Sequence, residues 1–156
     1  IALGLGAYAH RDEASAPRSA RRGKDAGPKQ AARVTAVMGD LTLSHDASSL
    51  ALAAATGADL DIIVADDAGG GIFATLEHGR AATPQAYDRW FGVAQAINYE
   101  ALAAAYGIGF ARAYATSELA SILRAPVAGP RLIHTPVERA AHLYAQARNV
   151  LCEAGF

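Results

Sequence analysis

Two short apolar runs, Val34-Thr35-Ala36-Val37-Met38 and Asp61-Ile62-Ile63-Val64-Ala65, each stop at glycine or carboxylate, and one Ala- and Leu-rich stretch at 47–56 lies between them. That stretch has room for about two to three helical turns, and Gly57 stands where a helix would end. Strand, helix and strand in this order predict a parallel pair joined by a right-handed crossover. The first strand runs into Gly39-Asp40 and the second into Asp66-Asp67, Ala68 and Gly69-Gly70-Gly71. In open sheets of this kind ligands bind beyond the carboxyl ends of the strands. Asp40 and Asp67 both fall at that edge.

Two carboxylates beside a glycine-rich loop suit a hard cation such as Mg²⁺, which takes oxygen ligands and often bridges protein carboxylates to phosphate. Three consecutive glycines let backbone approach a ligand closely. The residues alone leave a second reading open, in which both aspartates cap helices and turns.

Gly39-Asp40, followed 27 positions after Asp40 by Asp67 beside a second carboxylate, resembles the diphosphate and metal signature of thiamine-diphosphate enzymes. The wording is closest to the 2-succinyl-5-enolpyruvyl-6-hydroxy-3-cyclohexene-1-carboxylate synthases of menaquinone synthesis. Gly-Asp-Leu-Thr-Leu-Ser-His-Asp at 39–46 and Gly-Gly-Gly-Ile-Phe-Ala-Thr-Leu-Glu-His-Gly at 69–79 carry the resemblance, with further likeness at 87–92 and 101–107. It covers roughly residues 34–147, and residues 1–10 are similar to a preceding helix.

The resemblance implies that the carboxylates of Asp40 and Asp67 and the carbonyl of Gly69 hold Mg²⁺ or Mn²⁺, with diphosphate oxygens and water completing the shell. Gly39, Leu41 and Gly70 would line the diphosphate of thiamine diphosphate, with Thr42 and Ile72 beside it, while Phe73 and Leu76 would face substrate. From the residues alone, Thr42 and Ser44 serve either a phosphate or their own loop backbone. The implied activity is decarboxylation of 2-oxoglutarate and addition of the succinyl carbanion to isochorismate. The glutamate that activates the cofactor ring belongs, in such enzymes, to a separate N-terminal domain. No catalytic residue is assignable here, and the chain alone is expected to be inactive, as the C-terminal part of a homodimeric or homotetrameric parent.

The likeness breaks at two positions, 66 and 68: the family usually carries Asn-Asp-Asn or Asn-Asn-Asn before the glycines, and this chain has Asp66-Asp67-Ala68. That leaves two alternatives to weigh, another thiamine-dependent 2-oxoacid decarboxylase or synthase and a non-catalytic domain that keeps the fold.

The length of 156 residues suits one domain able to bury a core, and 52% hydrophobic with 19% charged residues suits a soluble globular protein. No apolar run reaches the roughly 18 residues of a membrane span. A net charge of −1 offers no general attraction to nucleic acid or anionic lipid. Apolar residues 1–9 lack a basic leader, and the chain begins without Met, so it reads as a cytoplasmic fragment of a longer protein. Cys152, the single cysteine, can form no internal disulfide. Residues 11–33 carry seven basic and three acidic residues with two prolines and almost no large apolar side chain, predicting a flexible basic surface insertion.

Elsewhere Asp46 is a candidate N-cap for the helix at 47–56, and His45 a loop residue that either scaffolds or catalyses. His78 and Arg80 are loop charges that could meet an acidic substrate. Tyr87, Trp90 and Phe91 form an aromatic cluster suited to pinning a short helix or meeting a partner. Asn98 caps a helix at 99–106, a strand follows at 108–113, a helix at 116–124, a strand at 131–135 and a last helix from Val137. Together these predict an α/β fold, doubly wound, with a mostly parallel sheet and helices on both faces.

Overall fold

In the computed structural model, residues 33–77, 81–126 and 128–138 are described. The expectations for residues 1–10, the insertion up to residue 32, His78, Arg80, the last helix and Cys152 lie outside them. Four strands, β1 (Val34–Gly39), β2 (Leu60–Asp66), β3 (Gly109–Arg112) and β4 (Arg131–Pro136), form one sheet in the order β1-β2-β4-β3. All three pairings are parallel. The expected α/β class is borne out.

Among the described residues the α-helices with assigned bounds are α1 (Asp40–Asp46), α2 (Ser49–Thr56), α3 (Pro84–Tyr87), α4 (Tyr99–Ala105) and α5 (Thr116–Arg124). One correction concerns α1, because the sequence reading made 41–46 a loop and Asp46 the cap of the following helix. Thr42, Ser44 and Asp46 are weak helix formers that prefer local side-chain bonds. Tertiary packing overrides them: Leu43 is fully buried in the core and pins the helix. Asp46 ends α1, and its Oδ1 accepts a hydrogen bond from the Ser49 hydroxyl, bracing the short turn to α2. Gly57 closes α2 at a φ of 59°, in the left-handed region where glycine is favoured. Asn98 caps α4 by accepting from the Ala101 N–H, and Glu118 ties down the free N–H groups of Tyr114 and Ala115 ahead of α5.

The apolar core gathers on one face of the sheet, where Leu43, Leu50 and Ala53 from α1 and α2, and Tyr99 and Ala103 from α4, meet Leu60, Ile62, Val64 and Leu132. The β3-to-β4 connection runs back across the sheet, so a right-handed crossover puts α5 on the opposite face. On that face Asp61, adjacent to Arg131 in the ladder, is clasped by two guanidiniums. Arg131 Nε donates to Asp61 Oδ1 at 2.9 Å, and Arg33 Nε lies 3.0 Å from Oδ2. Arg33 also donates to the carbonyls of Leu60 and Gly129. Arg33, assigned from composition to the basic insertion, is therefore a structural residue of the sheet.

After β2 the chain turns sharply through Ala68, at φ 60°, and Gly69, at φ 119°. Alanine in the left-handed region is strained by roughly 1 kcal/mol or more.

Two outcomes are expected in urea denaturation. Asp61→Asn leaves two guanidiniums facing a neutral amide and should lower stability by about 3 kcal/mol. Ala68→Gly should raise it by about 1 kcal/mol by relieving the turn.

Candidate functional site

The carboxyl ends of β1 and β2 open onto a cleft of about 440 Å³ lined by Gly39, Asp40, Leu41, Thr42, Ala65, Asp67, Gly69, Gly70, Ile72, Phe73 and Val137. Register explains the convergence. Gly39 pairs with Ala65, and Asp66 with Pro136, so the residues that follow β1, β2 and β4 leave the sheet side by side.

Asp40, the first residue of α1, is only 2% exposed. Burial pushes its carboxyl above the ordinary range. The N–H groups of Leu41 and Gly69 oppose the rise by donating to it, and the neighbouring Asp66 and Asp67 carboxylates add to it. One of its oxygens, Oδ2, is buried with no hydrogen-bond partner. A buried carboxylate oxygen left unpaired is costly, and it suits a hard cation. Among the described residues no three His, Cys, Asp or Glu side chains group around a metal position. Asp40, Asp67 and Gly69 all line the cleft, and two carboxylates with a backbone carbonyl would supply half of the octahedral oxygen shell that Mg²⁺ takes, an ion that keeps waters and phosphate oxygens as its remaining ligands.

The glycine loop is held close. A Cβ on Gly70 would stand 2.2 Å from the Phe91 carbonyl oxygen and 2.6 Å from the Phe73 ring, so no other residue fits there without displacing backbone. The Gly70 N–H donates to the Gly92 carbonyl at 2.7 Å, and the Tyr87 hydroxyl donates to the Gly70 carbonyl at 2.8 Å. Phe91 packs against Phe73 and Tyr87. The expected pinning role of the aromatic cluster thus falls to Tyr87 and Phe91. Trp90 is 67% exposed.

Of the candidates from sequence, Leu76 does not line the cleft; it follows the short 3₁₀ turn Gly71–Thr75 and is exposed. Ser44 and His45 are exposed on α1, and neither lines the cleft. Ala65 and Val137 do line it and were not anticipated, since only strand pairing brings the end of β4 beside β2.

Sequence reasoning also missed the polar cluster behind the cleft. His134 on β4 stacks on the Tyr99 ring, with centroids 4.2 Å apart, and its Nε2 meets Asp66 Oδ2 at 2.9 Å. Burial, then the Asp66 and Asp40 charges, hold the Tyr99 phenol well above its usual range. Its hydroxyl approaches Asp66 without forming a well-aligned hydrogen bond. The available signal was a titratable residue, His134, directly after the apolar pair Leu132-Ile133 of a predicted strand.

The chain is 40% identical over 110 residues to a 2-succinyl-5-enolpyruvyl-6-hydroxy-3-cyclohexene-1-carboxylate synthase of Paenarthrobacter aurescens, covering 67% of this chain and 19% of that protein. A synthase of the same name from Renibacterium salmoninarum is 40% identical over 110 residues, covering 67% of this chain and 20% of its own length. Another, from Rhodococcus erythropolis, is 39% identical over 122 residues, covering 74% and 22%. The chain spans about a fifth of the length of these curated relatives. The family profile for the thiamine pyrophosphate enzyme, C-terminal TPP binding domain, matches residues 17–135, well over half of the chain, and the protein belongs to that family.

Proposed function

We propose that this chain is the diphosphate- and metal-binding part of a thiamine-diphosphate-dependent synthase of menaquinone biosynthesis. The parent protein would decarboxylate 2-oxoglutarate and add the succinyl carbanion to isochorismate. The observation that carries the site is the buried, unpartnered Oδ2 of Asp40 in a cleft shared with Asp67 and Gly69. The synthase names of the relatives support the substrates.

When bound, thiamine diphosphate supplies the carbanion chemistry. This chain's residues bind and orient. Asp40, Asp67 and the Gly69 carbonyl hold Mg²⁺ or Mn²⁺. Gly39, Leu41 and Gly70 line the space for the diphosphate, Gly70 by leaving room with no Cβ while its own N–H and carbonyl stay bonded to Gly92 and Tyr87, and the Thr42 hydroxyl lies alongside. Ile72 and Phe73, both on the cleft wall, exclude water from the reacting end. Leu76 extends that apolar side toward substrate from outside the cleft lining. The activating glutamate comes from another domain of the parent protein, and this chain by itself is inactive.

The reading extends to a cytoplasmic homodimer or homotetramer acting on small molecules, without nucleic-acid or membrane partners. The net charge of −1 supports the last point, and no helix among the described residues is long and apolar enough to cross a membrane.

Calorimetric titration of thiamine diphosphate into the intact protein with Mg²⁺ tests the site. Asp40→Asn should weaken Mg²⁺-dependent binding at least 100-fold. It should also leave unliganded stability within about 1 kcal/mol, because it removes a buried charge that lacks a full set of partners. Unchanged affinity would sink the assignment. Consumption of pyruvate in place of 2-oxoglutarate by the intact protein would point to a different thiamine-dependent enzyme.

A further inference from the structure

Three side chains from three neighbouring strands line up behind the cleft. Arg112 on β3 approaches His134 Nδ1 through Nε at 3.2 Å, and His134 meets Asp66 through Nε2 at 2.9 Å. An arginine N–H can only donate, so Nδ1 of His134 is the acceptor and the ring proton sits on Nε2. His134 therefore donates to Asp66 Oδ2. The guanidinium fixes the direction of both bonds, and the Tyr99 ring, stacked on the imidazole, fixes its plane.

Asp66 is held at its other oxygen as well. Oδ1 accepts from the Ala68 N–H at 3.0 Å, and the Asp66 backbone carbonyl accepts from the Val137 N–H at 2.8 Å. One carboxylate thus joins the rigid sheet, through His134, to the strained Ala68 turn. Asp67 and Gly69 flank that turn on either side. A neutral amide at position 66 could accept one of these two donors on its oxygen but would present N–H to the other. The carboxylate at 66 is therefore matched to histidine at 134.

We propose that His134, oriented by Arg112, is a positioning residue for the metal-binding loop: it fixes Asp66, and Asp66 holds the Ala68 turn that aims the Asp67 side chain and the Gly69 carbonyl. The inference rests on the function proposed above for those two residues. It explains why the extra carboxylate at 66 is tolerated beside Asp40 and Asp67: both its oxygens are engaged by N–H donors.

The test uses the intact protein and two readouts. The first, without cofactor, is hydrogen exchange by mass spectrometry over the segment that contains Ala68. The second is calorimetric titration of thiamine diphosphate at saturating Mg²⁺. His134→Leu should speed exchange in the segment at least tenfold and weaken cofactor binding about tenfold. His134→Gln, which keeps an amide donor toward Asp66, should stay within about threefold of the unaltered protein in both. Arg112→Gln changes an exposed side chain, and it should weaken binding a few-fold. Exchange and affinity unchanged in His134→Leu, or equal losses in the Leu and Gln variants, would overturn the proposal. If the unaltered protein takes up no thiamine diphosphate, the functional reading falls. The loop-holding role is then decided by exchange alone, where retained protection in His134→Leu overturns it.

Discussion

Parallel pairing of β1, β2 and β4 is the constraint on which the rest of the structure depends. Parallel strands place their carboxyl ends at the same edge. With Gly39 opposite Ala65 and Asp66 opposite Pro136, three chain exits are brought within one cleft. A slip of one residue between β1 and β2 would exchange the faces of every side chain. It would bury Thr35 and Val37 in place of Val34, Ala36 and Met38, and would carry Asp40 away from the loop after β2. The apolar cluster on one face and the Asp61 clasp on the other both enforce the register, one through shape and the other through charge.

The site edge is built at the expense of stability. Asp40, Asp66 and Asp67 stand close together, Asp40 is almost completely buried, and Ala68 sits in backbone conformations that glycine would adopt more easily. Each of these breaks a local rule of folding, and such violations gather where a ligand is to be held. A bound cation would offset the repulsion between Asp40 and Asp67, while Asp66 is already satisfied by His134 and the Ala68 N–H. The three neighbouring carboxylates therefore separate into two kinds. Asp40 keeps a buried oxygen without a hydrogen-bond partner, and both oxygens of Asp66 accept hydrogen bonds from the architecture around it.

The glycine loop owes its shape to the aromatic segment after it. Gly70 is enclosed by the Phe91 carbonyl and the Phe73 ring, and the Tyr87 hydroxyl reaches back to its carbonyl. Cleft-lining backbone and aromatic wall are thus one packed unit, in which a change at Tyr87 or Phe91 would act on the loop from outside the cleft.

The sequence by itself determined the strand–helix–strand unit at 34–65, the cap at Asn98, the stop at Gly57 and the convergence of Asp40 with Asp67. These depend on local periodicity, on single-residue backbone preferences and on the rule that crossover units expose their carboxyl ends together. Family wording added the glycine loop. Tertiary structure alone decided that 40–46 is helical, because burial of Leu43 outweighs the weak propensity of Thr42, Ser44 and Asp46. It also decided the order β1-β2-β4-β3, which no local pattern encodes. From that order follow the pairing of Arg131 with Asp61 and the line from Arg112 through His134 to Asp66, contacts across 70, 22 and 68 positions of chain. A histidine or arginine read in its own strand carries no mark of the partner that folding will bring to it, and for that reason Arg112 and His134 stayed hidden, as did Ala65 and Val137, while Asp40, Asp67 and the glycines of the cleft could be read.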